Sequence, residues 1–259
     1  MPLPLLKVMT INISPPFIAN AELITTLQTA GYAVLHPDSA IELVGCTVQD
    51  AAAWLPSWND LPPDAYLKDG GHYRRRRHSC FMVSGESVQQ MPHRAHWQPL
   101  EYNALHGGMQ RMFEPMSASV SQSTAWLTLL SKLGQVCSAL KPRVQTWFVE
   151  AHQFRIDTTD GIGRPTPEGA HRDGVDFVAV MLIQRHGIKG GETRVFEVDG
   201  PAGQRFTMTE PWTLLLLDDE RMIHESTPIQ PLDAEDSGLS YRDTLVLTFR
   251  AKAFQGEGT

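Results

Sequence analysis

The sequence predicts a mainly β domain with flanking helices, built around a barrel or jelly roll, and three observations carry that prediction. Past Lys141-Pro142 the chain breaks into short β-branched and aromatic runs, at 146–156, 177–183, 193–198, 213–217 and 244–249, separated by turn-forming residues. Short strands at this spacing suit closed or stacked antiparallel sheets. Before that point the periodicity is helical: Trp126, Leu129, Leu130, Leu133, Val136 and Leu140 recur at three- and four-residue spacing, the mark of one buried helix face. Finally, no linker, repeat or low-complexity tract divides the 259 residues. A single domain is therefore expected over 1–259, with a mixed helical region at 1–145 bracing a β core at 146–250.

Taken in order, Asn20 is placed to cap a helix running to about Ala30, with Leu23 and Leu27 on one face and Gly31 as its stop. Residues 32–35 follow as a strand. Thr47 caps a second helix ending near Trp54, before Pro56 and the Pro62-Pro63 pair break the pattern. The helix over 123–140 is the clearest in the chain, and the strands of the second half follow it.

Composition excludes several classes. Hydrophobic residues at 42% and charged residues at 20% describe a folded globular chain. A net charge of -7 gives no electrostatic reason to bind a phosphate backbone, so nucleic acid is not an expected partner. The three cysteines, Cys46, Cys80 and Cys137, have no CxxC spacing and an odd count, which suits a reducing cytoplasm. The start lacks a basic n-region and a cleavage site, and no apolar run approaches the ~20 residues a membrane helix needs. A soluble, cytoplasmic protein is expected, and a homo-oligomer is left open.

Within the β half lies His171-Arg172-Asp173, and His224 follows the strand at 213–217. On an extended segment residues i and i+2 point to the same side, so His171 and Asp173 reach one ion while Arg172 points away. Two imidazoles and a carboxylate on one face of a metal leave the opposite positions open, as non-haem Fe(II) oxygenases require. An H-x-D alone also arises as a surface ion pair. The combination is more telling: H-x-D entering a β run, a Gly190-Gly191 turn, a later histidine on a strand end, and Arg242 opening the last strand. A guanidinium at 242 suits the distal carboxylate of 2-oxoglutarate, with Thr244 on the same strand face adding a hydroxyl. The competing reading makes Arg242 an ion-pair partner of Asp243 or a neighbouring acid.

Four successive arginines, 74–77, stand against the acidic balance of the chain. If the segment is extended, Arg74 and Arg76 share one face and Arg75 and Arg77 the other, so one pair can point inward at a substrate carboxylate. The alternative is a charged edge strand blunted against aggregation. Glu168 is placed either to receive a substrate ammonium or to cap the turn of Pro167 and Gly169. Asp176 is expected to be structural, and His152 packed and hydrogen-bonded.

Ordered motifs now tie the chain to a known group. Arg74-Arg75-Arg76, Tyr102-Asn103 with Gly107-Gly108 and Arg111, His152-Gln153-Phe154-Arg155, the 171–173 segment, Gly190-Gly191 and Arg242-Asp243 occur in the order seen in bacterial 2-oxoglutarate/Fe(II) dioxygenases of the isoleucine-hydroxylase type, which act on free amino acids. The chain resembles that family from about 66 to 249, roughly 70% of its length. The resemblance implies a double-stranded β-helix core, with His171, Asp173 and His224 as iron ligands and Arg242 as the 2-oxoglutarate anchor. It also implies oxidative decarboxylation of 2-oxoglutarate to succinate and CO2, using O2 and coupled to oxidation of a second substrate. Where some relatives carry a tyrosine after the H-Q-x-R segment, this chain has Ile156, and Gln153 is the expected substitute as a co-substrate contact. Related halogenases lack the metal carboxylate. Because Asp173 is present, hydroxylation or S-oxidation of a small substrate, a free L-amino acid first, is expected over halogenation. The alternatives are a peptide, a carrier-bound or natural-product substrate, a different divalent metal, or a non-catalytic jelly-roll binding protein.

Overall fold

A computed structural model of the chain describes residues 13–233 and 239–256. Its strands are β1 (Phe17–Ile18), β2 (Tyr32–Leu35), β3 (Arg74–Ser84), β4 (Ser87–Gln90), β5 (Trp147–Asp157), β6 (Phe177–His186), β7 (Ile188–Gly190), β8 (Thr193–Glu197), β9 (Gly203–Phe206), β10 (Leu214–Asp218), β11 (Met222–Ser226), β12 (Ile229–Pro231) and β13 (Tyr241–Arg250). The helices are α1 (Leu23–Ala30), α2 (Pro37–Val44), α3 (Val48–Ala52), α4 (Pro56–Asn59), α5 (Ala118–Ser121) and α6 (Thr124–Leu140).

Eight strands form one large sheet in the order β1-β2-β10-β6-β13-β5-β3-β4, antiparallel apart from the β1/β2 edge. Its outer face carries Ala151, Met181, Leu214, Leu245, Leu247 and Phe249, which pack with Leu129, Leu130 and Leu133 of α6 and with Leu23 and Leu27 of α1 in one apolar core. The inner face presents Val178, Leu182, Leu215 and Leu217 to Val195, Phe206 and Met222 of the three-stranded sheet β11-β8-β9. A two-stranded ribbon, β12-β7, continues that second wall. The result is the expected mainly β jelly roll with helices braced on its outside.

Local chemistry explains the helix ends. Ser123 accepts the Trp126 N–H at the start of α6, and Thr47 accepts the Asp50 N–H while Asp50 returns a bond to the Thr47 N–H, closing a capping box on α3. Gly31 ends α1 at φ 76, a left-handed conformation, with its N–H on the Leu27 carbonyl. Asn20 departs from expectation. It lies inside a 3-10 turn, Asn20–Glu22, where Glu22 accepts the Ala19 N–H, and the Asn20 side chain reaches across to Glu42 instead. Nor is the first part of the chain only a brace. β2 and β3 are integral to the large sheet, and β3 shows no apolar alternation because its buried positions include Arg74, Arg76 and His78.

Among the described residues no helix is long and apolar enough to cross a membrane. Leu129, wholly buried in α6, lies where the helix meets the sheet, whereas Leu100 is exposed. Leu129→Ala is expected to lower the unfolding free energy in urea by about 2–5 kcal/mol, and Leu100→Ala to change it by less than about 0.5 kcal/mol.

Candidate active site and metal centre

His224 sits in the middle of β11, and His171 pairs with it outside any strand: the His171 N–H donates to the His224 carbonyl at 3.0 Å and the His224 N–H returns the bond at 2.9 Å. This pairing brings the two imidazoles to 4.6 Å between ring centres. Two residues on, Asp173 turns its carboxylate to the same side, with Oδ1 at 3.9 Å from His171 Nε2 and Oδ2 at 3.8 Å from His224 Nε2. These are not hydrogen bonds. The three side chains converge on a point without touching, their ligand atoms all within 4.8 Å of one another.

The surroundings aim these groups. His171 Nδ1 lies 2.9 Å from the Gly169 carbonyl, which can only accept, so the ring carries its proton there and turns the Nε2 lone pair inward. Asp219, just past β10, accepts the backbone N–H groups of Asp173, Gly174 and Val175 at 2.8–3.0 Å. Gln255 donates to the carbonyls of Asp173 and Gly174. The ligand-bearing loop is thus held from both sides. Asp176 stays out of the ligand group: it pairs with Lys141 and accepts the Ala251 N–H.

Arg242 is 3% exposed, and its Nε and Nη2 have no hydrogen-bond partner among the described residues. Asp243 does not pair with it. That carboxylate faces the other side of β13, where Arg155 grips both its oxygens at 2.7–2.8 Å. A bulge strengthens the contrast, because the β13/β6 register shifts between Asp243 and Thr244, so that Arg185 falls opposite Arg242. Burial, with Arg185 adding to it, pushes the Arg242 pKa down to about 9, still a cation at neutral pH. A buried, unpaired cation costs several kcal/mol, and this one lines a cavity together with Thr244.

That cavity, about 120 Å³, also receives the iron-ligand candidates, Arg74, Arg76, Arg111 and Glu168. The arginine run alternates as the extended reading requires. Arg75 approaches Asp157 and Arg77 reaches Glu114 and Asp60 on the outer face, while Arg74 and Arg76 turn inward around Asp64. The Arg76 guanidinium lies between the rings of Phe113 and Phe154, at 3.9 and 4.3 Å. Arg74 Nη2, Arg76 Nε and Arg111 Nε remain unpartnered. Glu168 is not a turn cap. Its Oε1 is 3.6 Å from His171 Nε2 and its Oε2 is buried without a partner, the turn itself being closed by backbone.

Gln153 is a correction. The cavity takes His152, Phe154 and Ile156 from β5, so residue 153 faces the helices, where its amide donates to Ser57 Oγ at 2.7 Å. A co-substrate contact from that position would require the strand to turn over.

The profile of the 2OG-Fe dioxygenase family matches residues 55–248. The chain belongs to this family. A bsmA homologue from Methylobium petroleophilum PM1 is 50% identical, with a TM-score of 0.87 over 95% of this chain and 99% of that one. IDO from Bacillus thuringiensis, 16% identical, matches with a TM-score of 0.64 over 90% of this chain and 98% of its own. The Fe(II)/(alpha)ketoglutarate-dependent dioxygenase TqaL, 21% identical, matches with a TM-score of 0.68 over 91% and 88%. The last two establish likeness of fold. No curated protein sequence matches.

As a 2OG-Fe dioxygenase, the enzyme uses Fe(II), 2-oxoglutarate and O2, and the donor set fits these groups: two imidazoles and a carboxylate for the metal, and an orphaned buried guanidinium for a carboxylate. A second group of potential ligands, His78, His96, Glu150 and His152, is buried beside the cavity, with His96 and His152 in its wall. Hydrogen bonds within it and to Arg76 engage Glu150, His96 and His152, while His78 Nδ1 is left without a partner among the described residues. Glu150 accepts from His78 Nε2 at 3.2 Å and His96 Nδ1 at 2.5 Å. Arg76 donates to His152 Nδ1 at 2.7 Å, which leaves the His152 proton on Nε2 and no lone pair for a metal. Burial holds these imidazoles neutral, His96 down to about 3.

Sequence reasoning did not find Asp219, Arg185 or the His78–Glu150 network. Asp219 acts only through backbone amides and Arg185 arrives by a bulge, neither of which leaves a spacing signal. Burial alone would push the Asp64 carboxyl up, but Arg74, Arg76 and the Tyr66 N–H outweigh it and hold it below the usual range. A lowered folded-state pKa gives stability that is present above the unfolded value and lost as pH falls through the folded one. Asp64→Asn is therefore expected to cost about 3–5 kcal/mol in urea melts at pH 7, with the gap to wild type narrowing as the pH drops below about 4.

Proposed function

We propose that the chain acts as a single-domain amino-acid oxygenase of the isoleucine-hydroxylase type, hydroxylating or S-oxidising a free L-amino acid. In this reading His171, Asp173 and His224 hold the iron, and Arg242 with Thr244 binds the distal carboxylate of 2-oxoglutarate. Once bound, these groups supply the oxidising chemistry, with 2-oxoglutarate leaving as succinate and CO2.

One observation carries the substrate class. A small cavity beside the metal ligands presents unpartnered guanidinium nitrogens of Arg74, Arg76 and Arg111 together with the unpartnered Oε2 of Glu168. Cations and a carboxylate lining one small cavity complement a zwitterion, with an α-carboxylate toward Arg76 and an ammonium toward Glu168. Clamping Arg76 between two rings and His152 fixes the direction of its free nitrogen, which favours one orientation of the substrate side chain toward the metal. A cavity of about 120 Å³ supports a small molecule over a peptide or carrier-bound substrate. Three cysteines present as thiols support a cytoplasmic setting.

The protein, loaded anaerobically with Fe(II) and 2-oxoglutarate and then given O2 with amino-acid mixtures, is expected to form succinate, and His171→Ala to form none. Arg242→Met is expected to raise the KM for 2-oxoglutarate about 10–100-fold, and Arg76→Met to raise that of the amino acid while leaving the 2-oxoglutarate KM in place. Iron binding without succinate from any amino acid would overturn the substrate class; failure to bind iron would overturn the site.

A further inference from the structure

Of the motif Tyr102-Asn103, Gly107-Gly108, Arg111, the site as described uses only Arg111, yet the loop the motif builds ends on a metal-ligand candidate. His96 and Arg111 pair through their backbones at 2.9 and 3.0 Å, closing the loop at its base. Inside it, the Gly108 N–H reaches the Gln98 carbonyl at 2.8 Å and the His106 N–H the Asn103 side chain at 2.7 Å. Gly107 is required, because a Cβ there would lie 2.4 Å from the Asn103 carbonyl oxygen and 2.7 Å from that of Pro99. This tight construction delivers one side chain, Gln98, to the metal site.

The Gln98 amide is oriented by its own partners. Its Oε1 accepts from Arg111 Nη2 at 2.9 Å and from Asn103 Nδ2 at 3.1 Å. Both are obligate donors, so the amide is not free to flip, and its Nε2 must point the other way. There it donates to Asp173 Oδ1 at 3.1 Å. Gln98, Asn103 and Arg111 are all buried.

We propose that Gln98 is a positioning residue that keeps Asp173 a one-oxygen ligand. This rests on the assignment of His171, Asp173 and His224 as the metal ligands. Both carboxylate oxygens lie beside an imidazole, Oδ1 by His171 and Oδ2 by His224, and the Gln98 bond occupies Oδ1, which leaves Oδ2 as the oxygen free to bind. The consequence is a matter of counting positions. A metal taking one atom from each of three protein ligands would keep its remaining positions open, whereas a carboxylate binding through both oxygens would close one of them. The Arg111-Asn103-Gln98 relay thus sets how many positions the protein leaves for exogenous ligands, and it explains why an arginine and an asparagine are spent on a loop that does not touch the metal.

The test uses Mn(II) as a redox-silent probe, following its affinity by electron paramagnetic resonance and its coordinated waters by water-proton relaxation. Two variants remove the donor to Asp173 without adding a carboxylate that could itself bind Mn(II): Gln98→Leu and Gln98→Met. A thermal melt of each identifies loss of fold, and whichever variant folds carries the expectation. Both are expected to bind Mn(II) about 10–100-fold more weakly than wild type, with one fewer coordinated water. Unchanged hydration in a folded variant would overturn the proposal even if affinity fell, since Gln98 would then merely pack. His171→Ala is the control for the underlying assignment: if it bound Mn(II) as wild type does, the ligand set itself would be wrong, and the Gln98 result would not be the cause.

Discussion

The two-residue alternation of the large sheet is the constraint on which the rest of the molecule depends. On β5 and β13 the even-numbered residues face the cavity and the odd-numbered ones face the helices. Chemistry and packing are therefore written into the same strands, one residue apart. His152, Phe154 and Ile156 share a strand with Val149 and Ala151, and Arg242, Thr244 and Val246 alternate with Leu245 and Leu247. A helix could not separate the two so cleanly, since its faces grade into one another.

The same alternation sorts charge. Arg155 and Asp243 face each other across neighbouring strands on the outer side and neutralise one another, while Arg242, next in sequence to Asp243, is left unpaired on the inner side. The arginine run on β3 alternates likewise, with its outward members tied to acids and its inward members, Arg74 and Arg76, sharing the single carboxylate of Asp64. Unpaired inward charge is the expensive part of the structure, and the outer face and α6 core supply the stability that tolerates it.

Much of this was legible in the sequence because alternation and helical periodicity are local signals. The shared side of His171 and Asp173 follows from two-residue alternation, α6 from its leucine spacing, and the shared face of Arg74 and Arg76 from parity. Parity was also where the reading slipped, since it gives two faces without saying which is inside, and Gln153 was assigned to the wrong one. Features made by the backbone stayed hidden. The bulge opposite Asp243 and Thr244 that brings in Arg185, and the Asp219 carboxylate on three amides, depend on register and turn geometry that no residue type announces.

The backbone pairing of His171 with His224 has a thermodynamic consequence. Bringing together two candidate ligands so far apart in sequence closes a long loop, and the entropy of that closure is spent when the sheets form, with backbone hydrogen bonds as the fastener. Metal capture then needs little further ordering of the chain. A metal bound there would meet donor groups that the backbone pairing has already brought together, at little further cost in chain entropy.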